Sequence, residues 1–175
     1  KLRAAGVRYL HAPVFMGPSN ARQASGLMLF AGPAEDQAAL RPALETMTGK
    51  VVSLGTEPDK AAKVKLTGNG MLVMLTAAMG DLCRMGEACG LSNEEILGLF
   101  DQFSPTPAGM GRRALAASTQ PVGFELTMAR KDVRLMIETA GDAKLVLLPA
   151  IAKVMDEAIA AGLGAEDFAI IATRS

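Results

Sequence analysis

Residues 59–89 read DKAAKVKLTGNGMLVMLTAAMGDLCRMGEAC, and nothing in the stretch except glycine interrupts a helix. At 1.5 Å per residue such a helix is a rod of about 45 Å. Its middle, residues 71–79, is apolar on all sides and is expected to be buried all round, as in the spine of a helical domain or a dimer core. Four more helices are predicted behind it. Residues 93–102 follow a Ser92 cap with Glu95 at the capping-box position, and 107–117, 125–140 and 149–161 carry helical periodicity.

Ahead of the long helix the character changes. Residues 7–14 and 27–32 are rich in β-formers, and 50–55 reads as a third strand. Between them Ala38, Ala39, Leu40, Ala43, Leu44 and Met47 recur at helical spacing. Residues 1–6 read as a helix C-terminus stopped by Gly6, so the chain is expected to begin inside a fold. The expectation is a mainly α protein: residues 1–57 are the back end of an α/β domain, and 58–175 are an all-helical domain that includes the long helix.

Composition narrows the function. The 175 residues carry 18 basic and 18 acidic side chains with no long run of either sign, which argues against a nucleic-acid or anionic-membrane partner. The unbroken apolar run at 71–79 falls well short of the roughly 20 residues a bilayer demands, so no membrane span is expected. One histidine and two cysteines, Cys83 and Cys89, cannot supply a usual zinc ligand set, and both cysteines are expected to be reduced core thiols of a cytoplasmic protein. A small-molecule partner is favoured.

The chemistry-bearing segment is Lys65-Leu66-Thr67-Gly68-Asn69. Lys65 and Asn69 are four apart, so on a helix they share one face about a turn from each other. An ammonium donates a proton to a carbonyl being reduced, and the neutral amine takes one from an alcohol being oxidised. An amide beside it fixes the substrate oxygen. Taken alone, a lysine and an asparagine at this spacing are usually solvated, and Lys63 is a nearby competitor.

Lys-x-x-Gly-Asn at the head of a long helix resembles the signature of the β-hydroxyacid dehydrogenases of the 3-hydroxyisobutyrate dehydrogenase type. The likeness runs along nearly the whole chain: Ala12-Pro13-Val14 resembles a substrate-binding loop, Gly123-Phe124 with Lys131-Asp132 a landmark of the helical domain, and Gly162-Leu163-Gly164-Ala165-Glu166-Asp167 the family's ending. What the resemblance implies is an all-helical 6-phosphogluconate-dehydrogenase-like C-terminal domain, preceded by the last strands of a truncated NAD(P)-binding Rossmann domain. It implies an oxidoreductase that uses NAD or NADP to interconvert a hydroxy compound and its aldehyde or ketone, as a homodimer or homotetramer. Lys65 would be the general acid/base and Asn69 would bind substrate. Phe124 and Asp132 would line the closed cleft on the substrate side, and Lys131 would contact the cofactor. Without the resemblance, Lys131 and Asp132 are a charged pair on a solvated helix face, flanked by Arg130 and Arg134.

Two departures stand out. Where the family shows Ser-Gly after Ala-Pro-Val, this chain has Phe15-Met16, and a phenyl ring donates no hydrogen bond to a substrate carboxylate. A less polar substrate is expected, with the loop Gly17-Pro18-Ser19-Asn20 as a source of other donors. The Gly-x-Gly-x-x-Gly fingerprint after a strand is absent from these residues, and Gly162-x-Gly164 follows a helix instead. Two other readings compete: a non-catalytic helical oligomerisation module, and an imine-reductase-like enzyme, which would suit Phe15 but usually lacks the lysine found at Lys65.

Overall fold

The computed structural model describes residues 5–7, 9–118 and 120–173. The expected helix end at residues 1–4 lies outside them, as does position 8 of the expected first strand. The chain forms two compact units, Lys1–Gly68 and Asn69–Ser175.

In the first unit a three-stranded sheet runs in the order β1 (Val14–Phe15), β2 (Leu27–Phe30), β3 (Lys50–Ser53). β1 lies antiparallel to β2, with Val14 opposite Met28, and β3 lies parallel to it, with Met28 opposite Val51. A short helix α1 (Pro18–Arg22) joins the antiparallel pair. The parallel pair needs a crossover, which α2 (Ala34–Glu45) provides. Central strand β2 is the most apolar, with Met28, Leu29 and Phe30 buried. Leu29, Ala31 and Ala61 form a core against which Phe15, Leu27, Val52 and Leu54 pack.

The expected first strand is corrected here. Instead of spanning 7–14, pairing among the described residues is confined to Val14–Phe15 and one isolated bridge between His11 and Ala31. Pro13 stands between them and has no N–H to give the ladder, although its carbonyl still accepts from the Leu29 N–H at 2.9 Å.

Helix α3 (Lys60–Ala88) starts in the first unit and continues through the second. Beyond Gly68 its buried positions are Asn69, Gly70, Val73, Thr76, Met79, Gly80, Cys83 and Gly86, steps of one or three residues that trace one face. Met71 and Met85 on the opposite face are 51% and 61% exposed, so within one copy of the chain a single stripe of the helix is buried, and the expected dimer core would have to cover the other face. By length and composition α3 also suffices to cross a bilayer. Core helices of soluble proteins share that length and apolar character. The unbroken run at 71–79 understates this, because a helix accommodates the intervening Gly and Thr without losing its apolar average.

The remaining helices are α4 (Asn93–Phe103), α5 (Pro105–Leu115), α6 (Leu126–Ala140) and α7 (Leu147–Ala158). Ser92 and Glu95 cap α4 reciprocally: the Ser92 hydroxyl accepts from the Glu95 N–H at 3.2 Å, and the Glu95 carboxylate accepts from the Ser92 N–H at 2.8 Å. α5 begins two residues before its expected start because Pro105 takes the first helical position, where a missing N–H costs nothing. After α7 a wide turn (Ile159–Leu163) breaks at Gly162, whose φ of 87° suits glycine, and a 3-10 helix (Phe168–Ala172) closes the described chain. Leu126, Val133 and Met155 are fully buried, and Ala114, Ala117, Ala169 and Ala172 pack together.

Both cysteines are free. Burial, helped by Glu87 and opposed by Arg84, pushes the Cys83 thiol above its ordinary range. Cys89 is exposed, which corrects the expectation of two core thiols: it lies past the end of α3, in the turn that Gly90 makes at φ 80°.

Candidate active site

In the first unit the residues of interest meet at the edge of the sheet. β1 carries Phe15, and the head of α3 carries Lys65 and Gly68. The Lys65 ammonium lies over the Phe15 ring, with Nζ 3.7 Å from the ring centroid. Gly68 gives that ring its room: a Cβ there would overlap the Phe15 ring tip. Lys63 points elsewhere, into an exposed ion pair with Asp59 at 2.6 Å. That pair raises the lysine above its ordinary value through the hydrogen bond and charge of Asp59.

The loop after Phe15 is committed to itself. The Gly17 N–H donates to Asn20 Oδ1 at 3.0 Å, and the Asn20 amide donates to Ser25 Oγ at 3.1 Å. Two of the donors expected from that loop therefore hold the start of α1 in place.

In the second unit Asn69, 5% exposed, donates from Nδ2 to Asp132 Oδ2 on α6 at 2.8 Å. The other carboxylate oxygen of Asp132 pairs with Lys131 Nζ at 2.8 Å. Asp132 is largely covered while Lys131 is about half exposed, so an ordered carboxylate steadies both a buried amide and a cation that reaches solvent. The structure thus joins three of the sequence-predicted residues, Asn69, Asp132 and Lys131, in one polar chain. Phe124 is held by a different group. Its ring packs edge-on against Phe168 with centroids 5.6 Å apart, and its carbonyl accepts from the Phe168 N–H at 2.9 Å.

Asp167 organises that second group, a role the sequence reading does not assign. Its carboxylate accepts from the backbone N–H groups of Gly123, Phe124 and Ala169 at 2.9, 3.2 and 3.0 Å, and from Arg113 at 3.1 Å. Burial pushes this carboxyl up, but the three N–H donors and the Arg113 charge outweigh it and leave the group below the ordinary aspartate value. The available signal was an Asp directly before a Phe at the end of the chain, a pattern that also fits any N-cap. Among the described residues no His, Cys, Asp and Glu cluster could hold a metal ion.

No protein-family model matches the chain. Curated relatives do: an uncharacterised oxidoreductase of Bacillus subtilis is 28% identical over 95% of this chain and 59% of the relative, and the 3-sulfolactaldehyde reductase of Escherichia coli is 27% identical over 97% of this chain and 58% of the relative. The chain therefore spans somewhat under two thirds of the curated relatives it matches. Among solved structures, a 3-hydroxyisobutyrate dehydrogenase from Salmonella typhimurium superposes with a TM-score of 0.83 at 19% identity, over 98% of this chain and 61% of that one. In sequence along its length, and in the fold of its small sheet and helices, the chain is β-hydroxyacid dehydrogenase-like.

Proposed function

We propose that the protein to which this chain belongs is an NAD(P)-dependent oxidoreductase that interconverts a hydroxy compound and its aldehyde or ketone. The observation that supports this best is Lys65 at the head of α3, its ammonium held on an aromatic face, with Asn69 one helical turn further along. The relatives named as an oxidoreductase and an aldehyde reductase support the same chemistry. In this reading residues 1–57 are the last part of a Rossmann domain and 58–175 the helical domain.

Lys65 gives its proton to the carbonyl oxygen on reduction and takes it back from the hydroxyl on oxidation. Asn69, itself ordered by Asp132, fixes that oxygen, and Phe124 and Asp132 shape the substrate side. A nicotinamide cofactor, NAD or NADP, supplies the hydride when bound. Lys131 suits a contact with an anionic cofactor, being a half-exposed cation whose head group Asp132 steadies. Phe15 in place of a small hydroxyl residue favours a less polar carbonyl compound over a hydroxyacid.

The protein is read as a cytoplasmic homodimer or homotetramer. Val64, Met71 and Met85 are exposed apolar residues of α3 at multiples of seven, the spacing of a helix-packing seam. That seam would equally suit a helical oligomerisation module with no catalysis. Turnover separates the readings. In the full-length protein Lys65→Met should lower NAD(P)H consumption on a panel of aldehydes and ketoacids by about 10²–10⁴-fold with fold intact, whereas Lys63→Met should do far less. Equal turnover in both variants would end the assignment to Lys65.

A further inference from the structure

We propose that Phe15 is a positioning residue for Lys65: its ring face carries the ammonium and, seated against the bare backbone of Gly68, fixes where Nζ stands. Three observations within the first unit converge on this. Nζ lies 3.7 Å from the ring centroid, well inside the range over which a cation is attracted to an aromatic face. The ring cannot retreat into the sheet, since Phe15 packs on the Leu29, Ala31 and Ala61 core and β1 pins its backbone opposite Leu27. On the helix side, Gly68 lies less than one turn beyond Lys65, and any side chain there would overlap the ring. Phe15 and Gly68 therefore act as a matched pair, a large residue on the strand and an absent one on the helix, with the lysine held above.

The consequence is electrostatic as well as steric. A ring quadrupole stabilises a cation and has no matching attraction for the neutral amine. Phe15 therefore favours the protonated form of Lys65, the form that donates a proton to a carbonyl. The catalytic meaning of this rests on the function proposed above, but the contact does not.

The test is made on the chain by NMR with lysine labelled at the side-chain ε position, the Lys65 signal being identified by its loss in Lys65→Met. The ε protons of Lys65 should be shifted upfield by the ring current in the wild type and in Phe15→Tyr, and should return to the ordinary lysine position in Phe15→Leu. The Lys65 titration should move down by about 0.4 to 1.5 pH units in Phe15→Leu and stay put in Phe15→Tyr. Gly68→Ala, which forces the ring aside without altering it, should reproduce the Phe15→Leu result. An unshifted Lys65 signal in the wild type would overturn the proposal without need of any variant, and so would a titration indifferent to Phe15→Leu. If the NMR result holds while Lys65→Met keeps full turnover, the catalytic reading fails and the contact stands.

Discussion

Asn69 and Asp132, 63 residues apart in sequence, share a hydrogen bond of 2.8 Å between α3 and α6, and Asp132 holds Lys131 with its other oxygen. The bond is short because an ionised acceptor strengthens it, and it is shielded because Asn69 is 5% exposed. It ties the Asn69 amide on α3 to the Asp132 carboxylate on α6.

Replacing the amide tests this arrangement. Asn69→Ala should cost about 1–3 kcal/mol, the usual penalty for depriving a covered polar group of its partner. Asn69→Asp should cost more near neutral pH, since it sets two carboxylates against each other, and the difference should shrink at acid pH as the introduced carboxyl is protonated. Urea midpoints of the three proteins at both pH values give the answer. An Asn69→Asp variant as stable as Asn69→Ala at neutral pH would mean that the pair is not in contact.

Asp167 makes a pH prediction of opposite sense. Its folded carboxyl is held below the ordinary value of 3.8, so its stabilisation is complete above that value and is lost as pH falls through the depressed folded one. Asp167→Asn should therefore lower the melting temperature by a constant amount from neutrality down to about pH 4, and the gap to wild type should close below it. The loss at neutrality should be about 1–3 kcal/mol, as expected for weakening hydrogen bonds to a charged acceptor. A gap that widened on acidification would contradict the sign.

Two glycines in helices should respond in opposite directions to the same substitution. Alanine is favoured over glycine in a helix interior by about 1 kcal/mol. At Gly98 on α4 the added methyl meets nothing within 4 Å, so Gly98→Ala should stabilise. At Gly80 on α3 it would stand 2.6 Å from the Cα and carbonyl oxygen of Ala172, and backbone cannot step aside as a flexible side chain can. Gly80→Ala should therefore destabilise by about 1–3 kcal/mol, as overpacking usually does. Thermal melts of the two variants decide it.

These residues lack the glycine-rich strand-to-helix turn that holds a dinucleotide pyrophosphate. Calorimetric titration of the 175-residue chain with NAD and with NADP should show no micromolar binding. Such binding would mean that Lys131 and its neighbours form a cofactor site by themselves.

What the sequence discloses follows the range of each signal. The start of α4 is legible because Ser92 and Glu95 announce it within three residues, and the extent of α3 is legible because no proline intervenes from Lys60 to Ala88. β1 is misplaced because β-propensity scores residues 7–14 alike and does not weigh the donor that Pro13 lacks. The closing 3-10 helix is too short for periodicity to show. At the site, the i,i+4 relation of Lys65 and Asn69 is local and readable. The seating of Lys65 on Phe15 and of Phe124 on Asp167 is not, because each joins residues that only the tertiary fold brings together. Gly68 illustrates the limit, since in sequence it is a weak point in a helix and in the structure it is the space a ring needs.

The cluster of Ala114, Ala117, Ala169 and Ala172 has a genetic consequence. Most damage to protein cores comes from trimming large side chains, and here there is almost nothing to trim. A single base change in an alanine codon yields serine, threonine, proline, valine, an acidic residue or glycine, and only glycine is smaller. At these four positions nearly every spontaneous missense change must therefore add bulk where backbones already lie close. Random mutagenesis should find Ala114, Ala117, Ala169 and Ala172 among the least tolerant positions, although each carries only a methyl group.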